Sequence, residues 1–144
     1  MIRKINKGEG EIVDKLLTKL IKSEKEFDSN IDENYVVSNY YENIIDNDDK
    51  VIYVVEIDNK IVGYLYGYIE DNTALIKKVG HLDALYIEED YRNKGYARSL
   101  INEFKKYAKE KDVHHIEVKV FSKNIKAFNL YNSENLLLLT FQNR

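Results

Sequence analysis

Leu85-Tyr86-Ile87-Glu88-Glu89-Asp90-Tyr91-Arg92-Asn93-Lys94-Gly95-Tyr96-Ala97 runs from an apolar strand, through a polar turn, into the mouth of a long amphipathic helix. The first amides of a helix have no partner inside it and sit at the positive end of its dipole, so such a junction is an anion cradle. Glycine at 95 lets a ligand approach backbone that any side chain would cover. Ala97 keeps the next turn small, and Arg92 adds a planar donor fork with a fixed charge. The stretch predicts a site for a pyrophosphate-bearing ligand.

Working outward, the periodicity of apolar residues predicts a strand over 78–87 and a helix from Gly95 to Lys111. Ala97, Leu100, Ile101, Phe104, Tyr107 and Ala108 give that helix one apolar stripe, so it packs flat on a sheet. A strand follows at 115–121, then a helix over 124–133 and a last strand over 136–141. Upstream, Ile2 to Ile5 reads as a short strand and Glu11 to Lys25 as a helix. A second, shorter helix is expected near Val36 to Ile45. The β-branched run 51–57 and the partner 61–69 form a hairpin around Asp58-Asn59-Lys60. On its second strand Val62, Tyr64, Tyr66 and Tyr68 should share one face. Gly63 and Gly67, on the other, should leave room for close packing. Two strands joined by a helix of this length imply a parallel pair, 78–87 with 115–121. The expected class is α+β in three layers: a mixed, mainly antiparallel sheet of six to seven strands with four helices.

Composition narrows the class of activity. The chain has 144 residues and no cysteine, which suits one domain, 1–144, without disulfides, thiolate metal sites or a cysteine nucleophile. The net charge of −3 argues against a nucleic-acid scaffold. Lys105, Lys106, Lys109 and Lys111 share a helix face with Glu103 and Glu110, as a solvated face does. No apolar run approaches the roughly 20 residues that span a bilayer, and no signal-peptide block opens the chain, so a cytoplasmic protein without membrane contact is expected. His81, His114 and His115 lack ligand-type spacing, and no metal site is expected.

Arg92-Asn93-Lys94-Gly95-Tyr96-Ala97 satisfies Gln/Arg-x-x-Gly-x-Gly/Ala. Leu85 and Ile87 precede it at the spacing of an apolar strand, and Asn124, Ala127 and Tyr131 follow it on the next strand–helix unit. In these residues the chain resembles the GNAT superfamily of acetyl-CoA-dependent N-acetyltransferases, over nearly its whole length. The pair after the last helix, usually Gly-Phe, is here Asn135-Leu136. Asn tolerates the left-handed conformation that ends a helix. Relatives often continue beyond the final strand, so an altered acceptor side or dimer edge is expected.

The resemblance implies that the parallel strands splay apart and admit pantetheine. Backbone near Leu85, Tyr86 and Ile87, freed by a bulge, would hold it, with the Leu85 amide facing the thioester carbonyl. The diphosphate would rest on the amides of Asn93, Lys94, Gly95, Tyr96 and Ala97 beside Arg92. Asn124 would hold the pantetheine arm or cap the helix, next to Ala127. Tyr131 would protonate the departing thiolate. A base must take the amine's proton; imidazole as a side-chain type suits that task near neutrality, so His81, and Asp83 on the same face, are the candidates. Tyr35, Tyr40, Tyr41, Tyr64, Tyr66 and Tyr68, with Glu70 and Asp71, are candidate walls for a cationic amine, although strand spacing equally suits core tyrosines.

The expected activity is transfer of an acetyl group from acetyl-CoA, as cosubstrate, to a primary amine by direct attack in a ternary complex. The acceptor would be a small amine, an aminoglycoside-like compound or a polyamine. The alternatives are a non-catalytic acyl-CoA-binding or regulatory module and a protein N-terminal or lysine acetyltransferase. A Rossmann-type nucleotide binder is disfavoured, since Gly8-Glu9-Gly10 lacks a third glycine. The leucine run 137–139 on an edge strand predicts a homodimer.

Overall fold

The structure, a computed structural model, describes residues 1–72, 74 and 76–141. Six strands lie side by side in sequence order: β1 (Ile2–Lys4), β2 (Lys50–Ile57), β3 (Lys60–Glu70), β4 (Lys78–Ile87), β5 (Val113–Phe121) and β6 (Leu137–Phe141). The pairs β1–β2, β2–β3 and β3–β4 are antiparallel, whereas β4–β5 and β5–β6 are parallel. Three α-helices cover the faces: α1 (Gly10–Ser23) on one, α2 (Tyr96–Glu110) and α3 (Ile125–Ser133) on the other. The α+β class and the parallel 78–87/115–121 pair hold.

The helix expected over 36–45 does not form; only Tyr41–Ile44 makes a single 3-10 turn, so there are three α-helices among the described residues rather than four. The reason lies in where the amides of this segment go. The N–H of Val37 donates to Thr18 Oγ1 at 3.0 Å, and those of Tyr40 and Tyr41 donate to the buried Asp14 carboxylate at 3.3 and 3.0 Å. Asn39 adopts a left-handed φ of 54°, which a helix interior forbids. Donors that a helix would spend internally are spent on α1, and the segment lies along that helix as pinned coil.

Two apolar layers form. On the α2 side Val55, Leu65, Leu100, Ile101 and Phe104 are fully buried. On the α1 side Val13, Val54, Tyr41 and Tyr64 are, and the hydroxyls of the two tyrosines meet at 2.9 Å. At Gly67 the sheet and α2 approach too closely for a side chain: a Cβ there would stand 2.4 Å from the Phe104 ring. A register shift opposite Val55/Glu56 turns Val62 into the α2-side layer, away from Tyr64, against the simple alternation.

Candidate active site

The cradle forms where the junction chemistry predicts it. β4 ends at Ile87, a 3-10 turn covers Glu89–Tyr91, and α2 starts at Tyr96 with Gly95 as its N-cap. Gly95 has φ 85° and Asn93 φ 63°. Left-handed residues alternating with Lys94 turn successive amides toward one concavity, the geometry of an anion nest. No side chain caps α2, and its first turn carries no acid, so these amides are left for a ligand. A Cβ on Gly95 would meet no protein atom within 4 Å; the space above it is open. Arg92 is held ready by its Nε, which donates to the Ile87 carbonyl at 2.8 Å, while its guanidinium lies over the Tyr86 ring. Its terminal nitrogens make no hydrogen bond among the described residues, and the residue is exposed.

A cavity of about 760 Å³ extends from the cradle between the end of α1, the end of β4 and the start of α3. Leu85, Tyr86, Ile87, Arg92, Asn93, Gly95, Tyr96, Ala97, Asn124, Ala127 and Tyr131 all line it; Lys94 alone of the expected cofactor residues does not, its ammonium lying over Tyr91 instead. The cavity reaches into the sheet because the β4–β5 ladder stops at Leu82 and Val118. Beyond that point β4 pairs with no strand but β3, which leaves room beside its other edge for an extended ligand. The bulge that frees it falls earlier than expected. Tyr66 pairs Ala84 and Gly67 pairs Leu82, which leaves Asp83, not the 85–87 stretch, as the extra residue.

Tyr131 is 8% exposed, and burial, then the nearby Glu24 carboxylate, pushes its hydroxyl far above the ordinary tyrosine range. It therefore keeps its proton at any physiological pH. Its hydroxyl makes no hydrogen bond among the described residues, yet no buried polar side-chain atom there lacks a partner. The oxygen therefore opens onto the cavity that it lines. Asn124 spends its Oδ1 on the N–H of Ala127 at 3.2 Å, the cap that starts α3. Asn135 at φ 62° ends α3, with the N–H of Leu136 returning to the Tyr131 carbonyl, so the Asn-Leu pair preserves the turn that seats Tyr131.

On the α1 side of the splay lies a second group of side chains. His81 Nε2 meets Glu70 Oε1 at 2.7 Å, and its ring stacks on Tyr68 with centroids 4.7 Å apart. Asp83 is reached by solvent, but the surrounding protein strips enough water to raise its pKa, while His81 and Lys119 pull it back. Neither His81 nor Asp83 lines the cradle cavity. Of the tyrosines proposed as walls, Tyr41, Tyr64 and Tyr66 are core; Tyr40 and Tyr68 present surface beside Asp83, and Tyr35 is exposed. Asp71 pairs with Lys78 at 3.8 Å.

One group escaped the sequence reading. Glu24, at the C-terminal end of α1, is pushed up to about 7 by burial, then by Asp28 and Asp83. In sequence it is one more charged residue after a helix; only the fold, which stacks Phe27 of that turn on Phe121 and buries Glu24 in part, marks it out.

No helix among the described residues is long and apolar enough to cross a membrane. The family model described as "Acetyltransferase (GNAT) family" matches residues 15–134. No curated protein matches the chain. Among solved structures, a tetramutant of the BH1408 protein from Bacillus halodurans superposes with a TM-score of 0.82 at 19% identity, over 94% of this chain and 92% of that one. An aminoglycoside acetyltransferase from an uncultured soil metagenomic sample gives 0.74 at 18% identity, over 92% and 85%. The ribosomal-protein-alanine N-acetyltransferase from Brucella melitensis biovar Abortus 2308 gives 0.69 at 17% identity, over 93% and 90%. These likenesses are likenesses of fold. With the family match over residues 15–134 and the cradle at the head of α2, the chain belongs to the GNAT acetyltransferase family.

Proposed function

We propose that residues 1–144 form one N-acetyltransferase domain that moves an acetyl group from acetyl-CoA to a primary amine by direct attack in a ternary complex. The observation that carries this reading is the uncapped, open N-terminus of α2 at Gly95, continuous with a cavity that Tyr131 also lines. A diphosphate fits the nest of amides 93–97 beside Arg92. The pantetheine arm fits along the unpaired edge of β4 at Leu85 to Ile87, where backbone amides can oppose the thioester oxygen as negative charge develops on it. Tyr131 holds a proton for the departing sulphur.

The amine enters from the α1 side. Asp83 supplies a counter-charge for an ammonium, Tyr40 and Tyr68 supply aromatic faces, and His81, oriented by Glu70, carries the released proton to solvent. A small cationic amine, an aminoglycoside-like compound or a polyamine suits this lining. A protein N-terminus or lysine is the second acceptor class, and a non-catalytic acyl-CoA-binding module is the alternative to both. The reading extends to a homodimer, since Leu137 and Leu139 are exposed on the edge strand β6, and to the cytoplasm as its site of action.

Thiol release from acetyl-CoA against a panel of amines tests the reading. Saturable release with at least one cationic amine supports it; coenzyme A binding with no turnover on any acceptor leaves only the binding module.

A further inference from the structure

The C-terminal ends of the parallel strands β4 and β5 form one rim of the sheet, and a helix turns back along the sheet from each of them. The head of α2 at this rim is the cradle. The head of α3 stands across the cavity from it, and Lys123, Asn124, Ile125 and Lys126 line that cavity. Tyr131 lies five residues beyond Lys126, about 7 Å further along the axis at the rise of a helix. The cavity therefore has a rim end, where two helices begin, and a deep end at Tyr131. A cosubstrate whose diphosphate rests at Gly95 and whose thioester reaches Tyr131 has its nucleotide end at the rim.

What the head of α3 brings to the rim is charge without partners. Lys123 and Lys126 are exposed, and neither makes a hydrogen bond or an ion pair among the described residues. Arg98, which also lines the cavity, is committed to Ser133 and Glu134 at 2.9 and 2.8 Å. Glu26 is the one acid among the described lining residues, and no ion pair joins it to either lysine. A cation in the first turn of a helix opposes the dipole, and α3 carries no acid in that turn to offset Lys126. Two ammoniums flanking a helix start cost stability when alone and gain it from an anion placed between them.

We infer that Lys123 and Lys126 bind the 3′-phosphate on the adenosine end of coenzyme A and so select it over forms that lack this phosphate. This deepens the acetyl-transfer reading and rests on its choice of cosubstrate. The cradle at Gly95 reads the diphosphate, which coenzyme A shares with its 3′-dephospho form; the lysines read the group by which the two differ. A phosphomonoester carries up to two negative charges near neutrality, which a pair of ammoniums matches. Lysine suits the place, since a point charge on a long stem follows a phosphate at an open rim without fixed geometry. Ile125, exposed between the two, offers an apolar surface to the purine.

Calorimetry of coenzyme A and of 3′-dephospho-coenzyme A tests the assignment without any acceptor. At low salt the wild type should bind coenzyme A about tenfold more tightly than the dephospho form, and the preference should shrink toward parity at about 0.5 M salt. Lys123→Ala/Lys126→Ala should bind both forms within about twofold of the wild-type affinity for the dephospho form. Its melting temperature should be equal or higher, since a cation leaves the head of α3. Each single variant should lose part of the preference, which reads the site even if the double variant folds poorly. Lys77→Ala/Lys109→Ala removes the same charge beside the last turn of α2 and should keep the full preference. A wild type that binds the two forms equally, or a double variant that keeps the preference, would overturn the role of Lys123 and Lys126 and leave the cradle standing. So would a preference lost equally in Lys77→Ala/Lys109→Ala, which would make it a matter of net charge. A wild type that binds neither form overturns this role together with the reading beneath it.

Discussion

On the α2 side of the sheet the cradle comes from one contiguous stretch, 85–97, whereas on the α1 side Tyr40, Tyr68, His81 and Asp83 come from three separate segments. The cradle is built from backbone: free amides, two left-handed residues and a glycine with open space above it. It needs only that a strand stop and a helix start. The α1 side is built from side chains, whose placement depends on coil pinned by Asp14 and Thr18 and on a one-residue bulge at Asp83. A ligand common to a whole family can be held by backbone that tolerates sequence change. A ligand particular to one protein is met by side chains that each arrive from elsewhere.

The contrast makes the two sides separately breakable. Tyr131→Phe removes the hydroxyl proposed as proton donor and leaves the cradle intact, so kcat should fall about a hundredfold with coenzyme A affinity unchanged in calorimetry. Asp14→Ala acts on the other side. It strips the acceptor from the amides of Tyr40 and Tyr41 and should cost about 3 kcal/mol by urea denaturation. Its KM for the amine should rise more than its KM for acetyl-CoA.

Gly67→Ala probes the layer beneath the cradle. A Cβ placed 2.4 Å from the Phe104 ring must push α2 outward, and thermal melts should show a loss of about 2 kcal/mol. The smallest effect is electrostatic. The folded Glu24 carboxyl titrates above its unfolded value, so its contribution is fully favourable below the ordinary carboxylate range and is lost as pH rises to about 7. Urea midpoints of the wild type should therefore decline over that window. Glu24→Gln should flatten the decline and gain about 1–2 kcal/mol above neutrality, after allowance for partial exposure.

How much of this the sequence carried follows the same division. Strand ends, the hairpin, α2, α3 and the cradle are fixed by local patterns, and they fall within two residues of where periodicity and turn chemistry put them. The left-handed Asn135 that replaces a glycine was legible from Asn chemistry alone. The stretch 36–45 failed because its apolar spacing of three and four is met by coil lying on α1, and periodicity does not see an amide bonded to a side chain 19 residues away. The tyrosines at 41, 64 and 66 share strand or helix spacing with a plausible wall, but the fold spends them on the core. Glu24 was invisible because its burial comes from segments distant in sequence.

The central claim is that free amides at the head of α2, around Gly95, hold the diphosphate of coenzyme A. Calorimetry of coenzyme A with the wild type and with Gly95→Val tests it most directly. The account predicts saturable one-to-one binding to the wild type and at least a hundredfold weaker binding to a variant whose side chain fills the open space above residue 95. No heat with the wild type, or equal affinity in both proteins, would contradict it.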